Sequence, residues 1–559
     1  MKKLIYICLV LTASTACSKL DLDPLSESSS STFYDTQAGL ELAVNDLYRP
    51  SFFGNDSEQF TDNFWHRALL GNSVTFGTMA ADDPAALSLW TNSYRAIARA
   101  NSFLANMHKA AGNTPAPIIA QYEAEMRLIR AYQYSKLITH FGDVPFLIEP
   151  KTLAEATGIT RTNKEEILTF IFSELDFAAD KLPASYSASA VKRLTKGAAL
   201  AIKARTALEM GKFAVAKDAS KSIIDMGPAV YTLHPSYSQL FLKAGETSKE
   251  IIFSLPRDQV QNVFNGAFYV RDWIPRTAGG FGAQIPTREV VDAYESIDGK
   301  PIDESPLYDP KNPFANRDPR LTATIVEFGI QWLGFGYMPH PDSLTIWSSR
   351  LGRRVQNNDT RANANFASFT GFLWKKGVDQ SWVDRLAEDN DAILYRYAEV
   401  LLTYAEAKIE LGDVDASVLN AINQVRARAY GVAVTQVGQY PAVTTTDVAE
   451  LRKVVRRERR VEFVNEGLRY MDLIRWRLAE KVLTKPVIGL PDPAVQNRSK
   501  WPFPGVTPID DDGIPDYSGF GSDVKVIAQR NFDKSRQYLW PIPSIERIGN
   551  PKLTQNPNY

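Results

Sequence analysis

Apolar residues return every three or four positions through much of the first half of the chain, the period of a helix with one buried face. Tyr122, Met126, Ile129 and Tyr132 make one such stripe within residues 118–141. Gly142 stops it, and Pro145 predicts an extended exit. Ile167, Phe170, Ile171 and Leu175 carry the same period through residues 164–181, and residues 38–48 and 90–108 also read as helices. A long irregular stretch separates residue 48 from about residue 84. Strand-like runs are few, at 251–255 and 321–327. Residues 448–477 read as one basic helix, with Glu458, Glu462 and Glu466 four apart on a stripe among Arg456, Arg457, Arg459 and Arg460. Arg and Glu at these spacings pair on a helix face, so ion pairing is the expected use rather than a basic binding patch.

Two helix–turn–helix pairs, at residues 197–227 and 397–429, resemble tetratricopeptide units. In each, small residues (Ala204 and Ala207; Ala405 and Ala407) allow close helix contact, and a glycine (Gly211; Gly412) marks the turn. Such units bury their apolar faces only by stacking. Two pairs so far apart imply a scaffold interrupted by a large insertion at about 250–391, which is rich in Gly, Pro and aromatic residues. The expected fold is therefore mainly α: a tetratricopeptide-like scaffold against an irregular, loop-rich part with a few short strands. The expected division is scaffold at about 33–249 and 392–480, irregular insertion at 250–391, and C-terminal segment at 481–559, all in one domain spanning 33–559.

Of 559 residues, 44% are apolar and 23% charged, which supplies a large core. The net charge of −1 suggests no nucleic-acid surface. Both cysteines, Cys8 and Cys17, fall at the N-terminus. Lys2 and Lys3, a short apolar run, and Ala-Ser-Thr-Ala before Cys17 have the layout of a secretory signal over residues 1–16. The cut would leave Cys17 first. This resembles a bacterial lipobox, whose cysteine is acylated, although Ser14 stands where the common pattern has Leu. Acyl chains at Cys17 would then anchor the protein to a membrane through a polar tether, residues 17–32.

The motifs that follow, in order, resemble the SusD/RagB family of outer-membrane nutrient-binding lipoproteins. They are SKLDLDP, WTNSYRAIARAN, EAEMRLIRAYQYSKLITHFGDVPFL, IPTREVVDAYESIDGKP, NRDPRL, ILYRYAEVLLTYAEAKIELG, RRERRVEFVNEGLRYMDLIRW and YLWPIPSIERIGNPKLTQNPNY. The resemblance implies a SusD-like fold and a surface-exposed lid on a SusC-like TonB-dependent transporter. Such a lid captures oligosaccharides, or in RagB-like members peptides, without cleaving them. Most of these motifs read as structural. Gly142-Asp143-Val144-Pro145 ends a helix, and Glu466, Gly467, Asp472 and Arg475 read as fixing helix packing through buried polar pairs.

Glycan binding needs flat apolar surfaces beside planar hydrogen-bonding side chains, and loops on rigid scaffolds commonly supply them. Three stretches qualify. Residues 62–84 offer Trp65, His66, Arg67, Asn72, Phe76, Asp82 and Asp83. Residues 264–281 offer Tyr269, Arg271, Asp272, Trp273 and Phe281, with glycines that widen the loop's choices. Residues 331–347 offer Trp332, Phe335, Tyr337, His340 and Trp347. Trp65, Trp273 and Tyr337 are the leading ligand contacts, and truncating Trp65 or Trp273 is expected to weaken binding with little loss of stability. Trp90 and Trp540 read as core. No Gly-x-Ser-x-Gly elbow or His-Glu-x-x-His motif occurs, and the five His are scattered. No catalytic residue and no cofactor is expected. Asp510-Asp511-Asp512-Gly513 hints at a calcium loop but lacks the bidentate Glu, so a solvated turn is the better reading. An assembly scaffold without a ligand pocket and a lipid-anchored hydrolase stand as rival classes.

Overall fold

Several long helices begin on a side chain that accepts from their free N–H groups. Asp83 caps Pro84–Asn106, Asn163 caps Lys164–Lys181, Thr195 caps Lys196–Glu209, Asp415 caps Ala416–Ala429 and Asp447 caps Val448–Glu462. Gly142 ends Ala116–Phe141 at φ 73°, a conformation costly to other residues. The computed structural model describes residues 32–67, 72–186, 192–491 and 498–559. The signal peptide, Cys17 and nearly all of the tether lie outside these described residues.

The helices stack in sequence: Pro84–Asn106 on Ala116–Phe141, then Lys164–Lys181, Lys196–Glu209 and Phe213–Ile224. Phe213–Ile224 next packs on Tyr397–Glu410, which carries Ala416–Ala429 and Val448–Glu462. Ala207, Ala216 and Ala407 meet in one buried cluster, so small side chains bring the second helix pair onto the first. The chain between the pairs leaves and returns through an antiparallel ladder, Ile251–Leu255 on Ala392–Arg396. That segment contains a four-stranded antiparallel sheet and a second aromatic core. Trp90 and Trp540 are buried in the first core. Among the described residues, no helix is long and apolar enough to cross a membrane.

Two sequence expectations are corrected. Residues 321–327 do not begin as a strand: Asp318 accepts from the Arg320 N–H, Pro319 takes the first helical position, and Pro319–Thr324 is helical. The basic helix ends at Glu462, and a separate helix, Arg469–Arg475, follows. Asn465 and Gly467 lie between them at φ 60° and 73°. A Cβ on Gly467 would sit 2.1 Å from the Asp56 carbonyl oxygen. Gly467→Ala is therefore expected to cost about 1–3 kcal/mol, read as a lower urea midpoint at unchanged slope; an unchanged midpoint would contradict the close approach.

The charged residues of the basic helix are committed to partners. Arg459 pairs with Asp472, Arg460 with Asp62, Arg457 with Glu295, and Glu458 with Arg320 and Arg426. Glu462 meets Arg396, Arg428 and Arg320, while Glu466 meets Arg396 and Lys376. This hub joins Glu295, Arg320 and Lys376 of the inserted segment to the helical stack.

Candidate functional site

The first candidate stretch hangs from the scaffold at Asp62. Its buried carboxylate accepts from Arg460 at 2.7 Å and Arg469 at 3.0 Å. Burial alone would raise its pKa, but Arg460 and then Arg469 outweigh that and hold it well below the carboxylate range. The strand Phe64–His66 follows and pairs antiparallel with Gln284–Pro286. The Arg67 N–H extends the ladder to the Ala283 carbonyl. The first two stretches therefore meet.

The second stretch folds back on its own short helix, Ala267–Trp273. N–H groups of Phe281, Gly282 and Ala283 donate to carbonyls of Arg271, Ile274 and Asp272. Gly280 lets the chain return, because a Cβ there would lie 2.2 Å from the Ile274 oxygen. Residues 357–371 lace this turn to the third stretch. The Asp359 carboxylate accepts from the N–H groups of Arg276 and Thr277, and the Asn357 amide donates to carbonyls of Met338 and Ser343. Phe366 projects from this loop. Arg67 Nη1 donates to its carbonyl at 2.6 Å, and the guanidinium lies 5.4 Å from its ring.

The result is a two-layer arrangement. The floor holds Trp65, Trp273, Trp332 and Tyr337, all buried in the second core. Tyr337 is 1% exposed and its hydroxyl donates to the Gly371 carbonyl. Tyr269 lies 5.7 Å from Trp273, ring to ring, and Phe76 meets Trp65 edge-on at 6.1 Å. The surface holds Phe268 at 76% exposure, Phe366 at 64%, and half-buried Phe281, which meets Phe268 edge-on at 6.1 Å. Arg67, Arg271 and Arg276 lie among them, and His66 stands 3.6 Å from Asp272. Trp347 is half-exposed on the sheet strand Thr345–Ser348, across from Arg354.

Other sequence candidates have structural duties. Asn72 closes a turn, accepting from the N–H groups of Val74 and Thr75 and donating to the Gln59 carbonyl. Asp83 is the cap of Pro84–Asn106, with Asp82 exposed beside it. The leading indoles and Tyr337 thus form the floor rather than the exposed surface. The extended strand alternates around a ladder whose other half is more than two hundred residues away, and both Phe64 and Trp65 end up buried. Sequence reasoning missed Phe268, Arg276 and Phe366. The run NNDTRANANFASFTG, a turn-rich loop punctuated by rings, was the available signal for Phe366.

A cleft of about 360 Å³ lies elsewhere, lined by Phe52, Asp56, Phe60, Asn92, Lys136 and Trp540. Its carboxylate already receives Lys136 at 2.6 Å and His140 at 3.2 Å, and Tyr132 donates to the Gly54 carbonyl. These polar groups are spent inside the fold, which leaves the ring-bearing face as the better ligand surface. Among the described residues, no cluster of three or more His, Cys, Asp or Glu could hold a metal ion. In the acidic turn at 510–513, the Lys481 ammonium lies 2.9 Å from Asp510 and also pairs with Asp512.

The geometry has relatives. Residues 249–559 match the model of the SusD family, and residues 20–208 match a model described as starch-binding, associating with the outer membrane. A SusD-like protein of Formosa agariphila is 25% identical over 505 residues, covering 85% of this chain and 89% of that one. The crystal structure of a SusD-like carbohydrate binding protein from Bacteroides fragilis superposes with a TM-score of 0.78 at 29% identity, covering 94% of this chain and all of that one. A laminarin binding SusD-like protein has the same fold, with a TM-score of 0.65 at 19% identity over 94% of this chain.

Proposed function

The chain belongs to the SusD family, and on that premise we propose that it is an outer-membrane-associated binding protein that captures an oligosaccharide without cleaving it. Cys17 carries the lipid anchor, the body faces the cell exterior, and a SusC-like TonB-dependent transporter receives the ligand. The observation that carries the binding reading is the convergence of exposed Phe268 and Phe366 and half-buried Phe281 with guanidinium groups over a rigid aromatic floor. Exposed rings cost free energy in water and are recovered when a sugar's C–H face covers them. The guanidiniums supply planar donors for adjacent hydroxyls. The matched outer-membrane description and the carbohydrate-binding relative support the same reading.

The test is calorimetry of the full chain in detergent against soluble glycans and mixed peptides, with product analysis. A saturable, non-hydrolytic glycan response is expected. Phe366→Ala and Phe268→Ala should each weaken it by roughly tenfold, the loss of one good contact, at unchanged melting temperature. A peptide-only response would move the protein to peptide capture, and full glycan affinity in both variants would remove this face from the reading.

A further inference from the structure

We propose that the sugar chain taken by this face is anionic, with a carboxylate or sulfate group seated between Arg67 and Arg276. The inference rests on the glycan reading above and adds the ligand's charge.

Both arginines hold one short segment, Arg67 through its backbone and Arg276 through its side chain. The Arg67 N–H binds the Ala283 carbonyl at 2.8 Å, and Arg276 Nη1 donates to the Phe281 carbonyl at 3.4 Å. Each side chain keeps a buried Nε with no hydrogen-bond partner. Arg361, on the adjoining loop, has a third such Nε, and its guanidinium lies 4.7 Å from the Phe369 ring. Exposed Arg271 adds a fourth positive charge without an ion pair among the described residues.

The carboxylates close by offset this only in part. Asp359 accepts from the backbone N–H groups of Arg276 and Thr277 and attracts Arg276, and Asp272 lies against His66. Burial, and next the charge of Arg276, lower the pKa of Arg67, with Asp272 only partly offsetting them. Like charges held together on a folded surface repel, and an anion placed between them relieves that repulsion. The guanidinium fork matches the two oxygens of a carboxylate or sulfate, and such charge-assisted pairs are stronger than bonds to neutral hydroxyls. A purely structural Arg67, pinning the Phe366 loop, would account for its Nη1 bond but not for a second guanidinium on the same segment that is also without an ion pair among the described residues.

The experiment compares oligosaccharides of equal length on the full chain by calorimetry: an oligouronate, a sulfated galactan fragment and a neutral β-glucan fragment. At least one acidic ligand should bind roughly tenfold or more tighter than the neutral one. Uronate and sulfate arms identify which anion is used. The Arg67→Gln, Arg276→Gln double variant should lose most of that preference, its acidic-glycan affinity falling by a clearly larger factor than its neutral-glycan affinity, and the corresponding Lys variant should regain part of it. Should the double variant fold poorly, salt titration of the parent decides: acidic-ligand affinity should fall several-fold as NaCl rises from about 0.05 to about 0.5 M. Equal or tighter binding of the neutral glycan, or affinity indifferent to salt, overturns the anionic inference and leaves the glycan reading intact. Binding of no glycan at all overturns both.

Discussion

The Glu462→Gln variant is expected to unfold at a markedly lower urea midpoint than the parent, with a loss of about 3–5 kcal/mol. Glu462 has no solvent exposure, and one carboxylate serves three guanidiniums. Arg396 Nη1 reaches Oε1 at 2.7 Å, Arg428 shares that oxygen, and Arg320 Nη1 reaches Oε2 at 3.0 Å. Glutamine keeps the shape and removes the charge, so three buried cations are left to Glu250, Glu458, Glu466 and Asp318 alone. Removing one member of a buried ionic set costs far more than its net contribution, because the remaining charge stays desolvated. Acid titration gives an independent readout. Burial would raise the Glu462 pKa, but Arg428, Arg396 and Arg320 outweigh it and hold the group at about 2, below its ordinary 4.5. A depressed carboxylate stabilises the fold at pH above its unfolded value, and that stability is lost as pH falls from about 4.5 through about 2. The parent should therefore lose on the order of 3 kcal/mol from this group across that window, and the Gln variant should show a correspondingly shallower acid slope. A variant within about 1 kcal/mol of the parent would mean that the hub does not depend on this carboxylate.

The hub also explains what was legible in the sequence. The scaffold helices were readable from local features, an apolar period together with a side-chain cap or a terminating glycine; Lys164–Lys181, capped by Asn163, matches its predicted span end to end. The basic helix was overrun because its pattern continues past Glu462, while the break depends on Asn465 and Gly467 entering left-handed conformations where the chain meets Asp56. Residues 321–327 looked like a strand from their β-branched content, yet the Asp318 cap and Pro319 started a helix against that propensity. The site was legible as composition and not as orientation. Two of the three ring-rich stretches do meet at the exposed face, but which rings point outward is decided by pairing between residues 64–66 and 284–286 and by the 357–371 loop. Neither partner can be inferred from a stretch read alone.

Trp273→Ala is the substitution where that difference has its largest measurable consequence. Read from sequence alone, Trp273 is a leading ligand contact whose loss would spare stability. In the structure it is 7% exposed, lies 5.7 Å from Tyr269 and 6.5 Å from Trp374 ring to ring, and belongs to the second core. Truncating a buried indole to Ala removes its transfer free energy and leaves a cavity, at about 3–5 kcal/mol. The expected result is a large fall in melting temperature. Any loss of glycan affinity should then come through displaced neighbours: the short helix ends at Trp273, and the carbonyls of Arg271, Asp272 and Ile274 hold residues 281–283 beside Arg67. Scanning calorimetry with ligand titration separates this from a direct contact, and Phe366→Ala supplies the contrast because its ring is exposed. If Trp273→Ala kept its melting temperature within a few degrees and still lost binding, the indole would meet the sugar directly, and the ligand would sit one layer deeper than the phenylalanine surface.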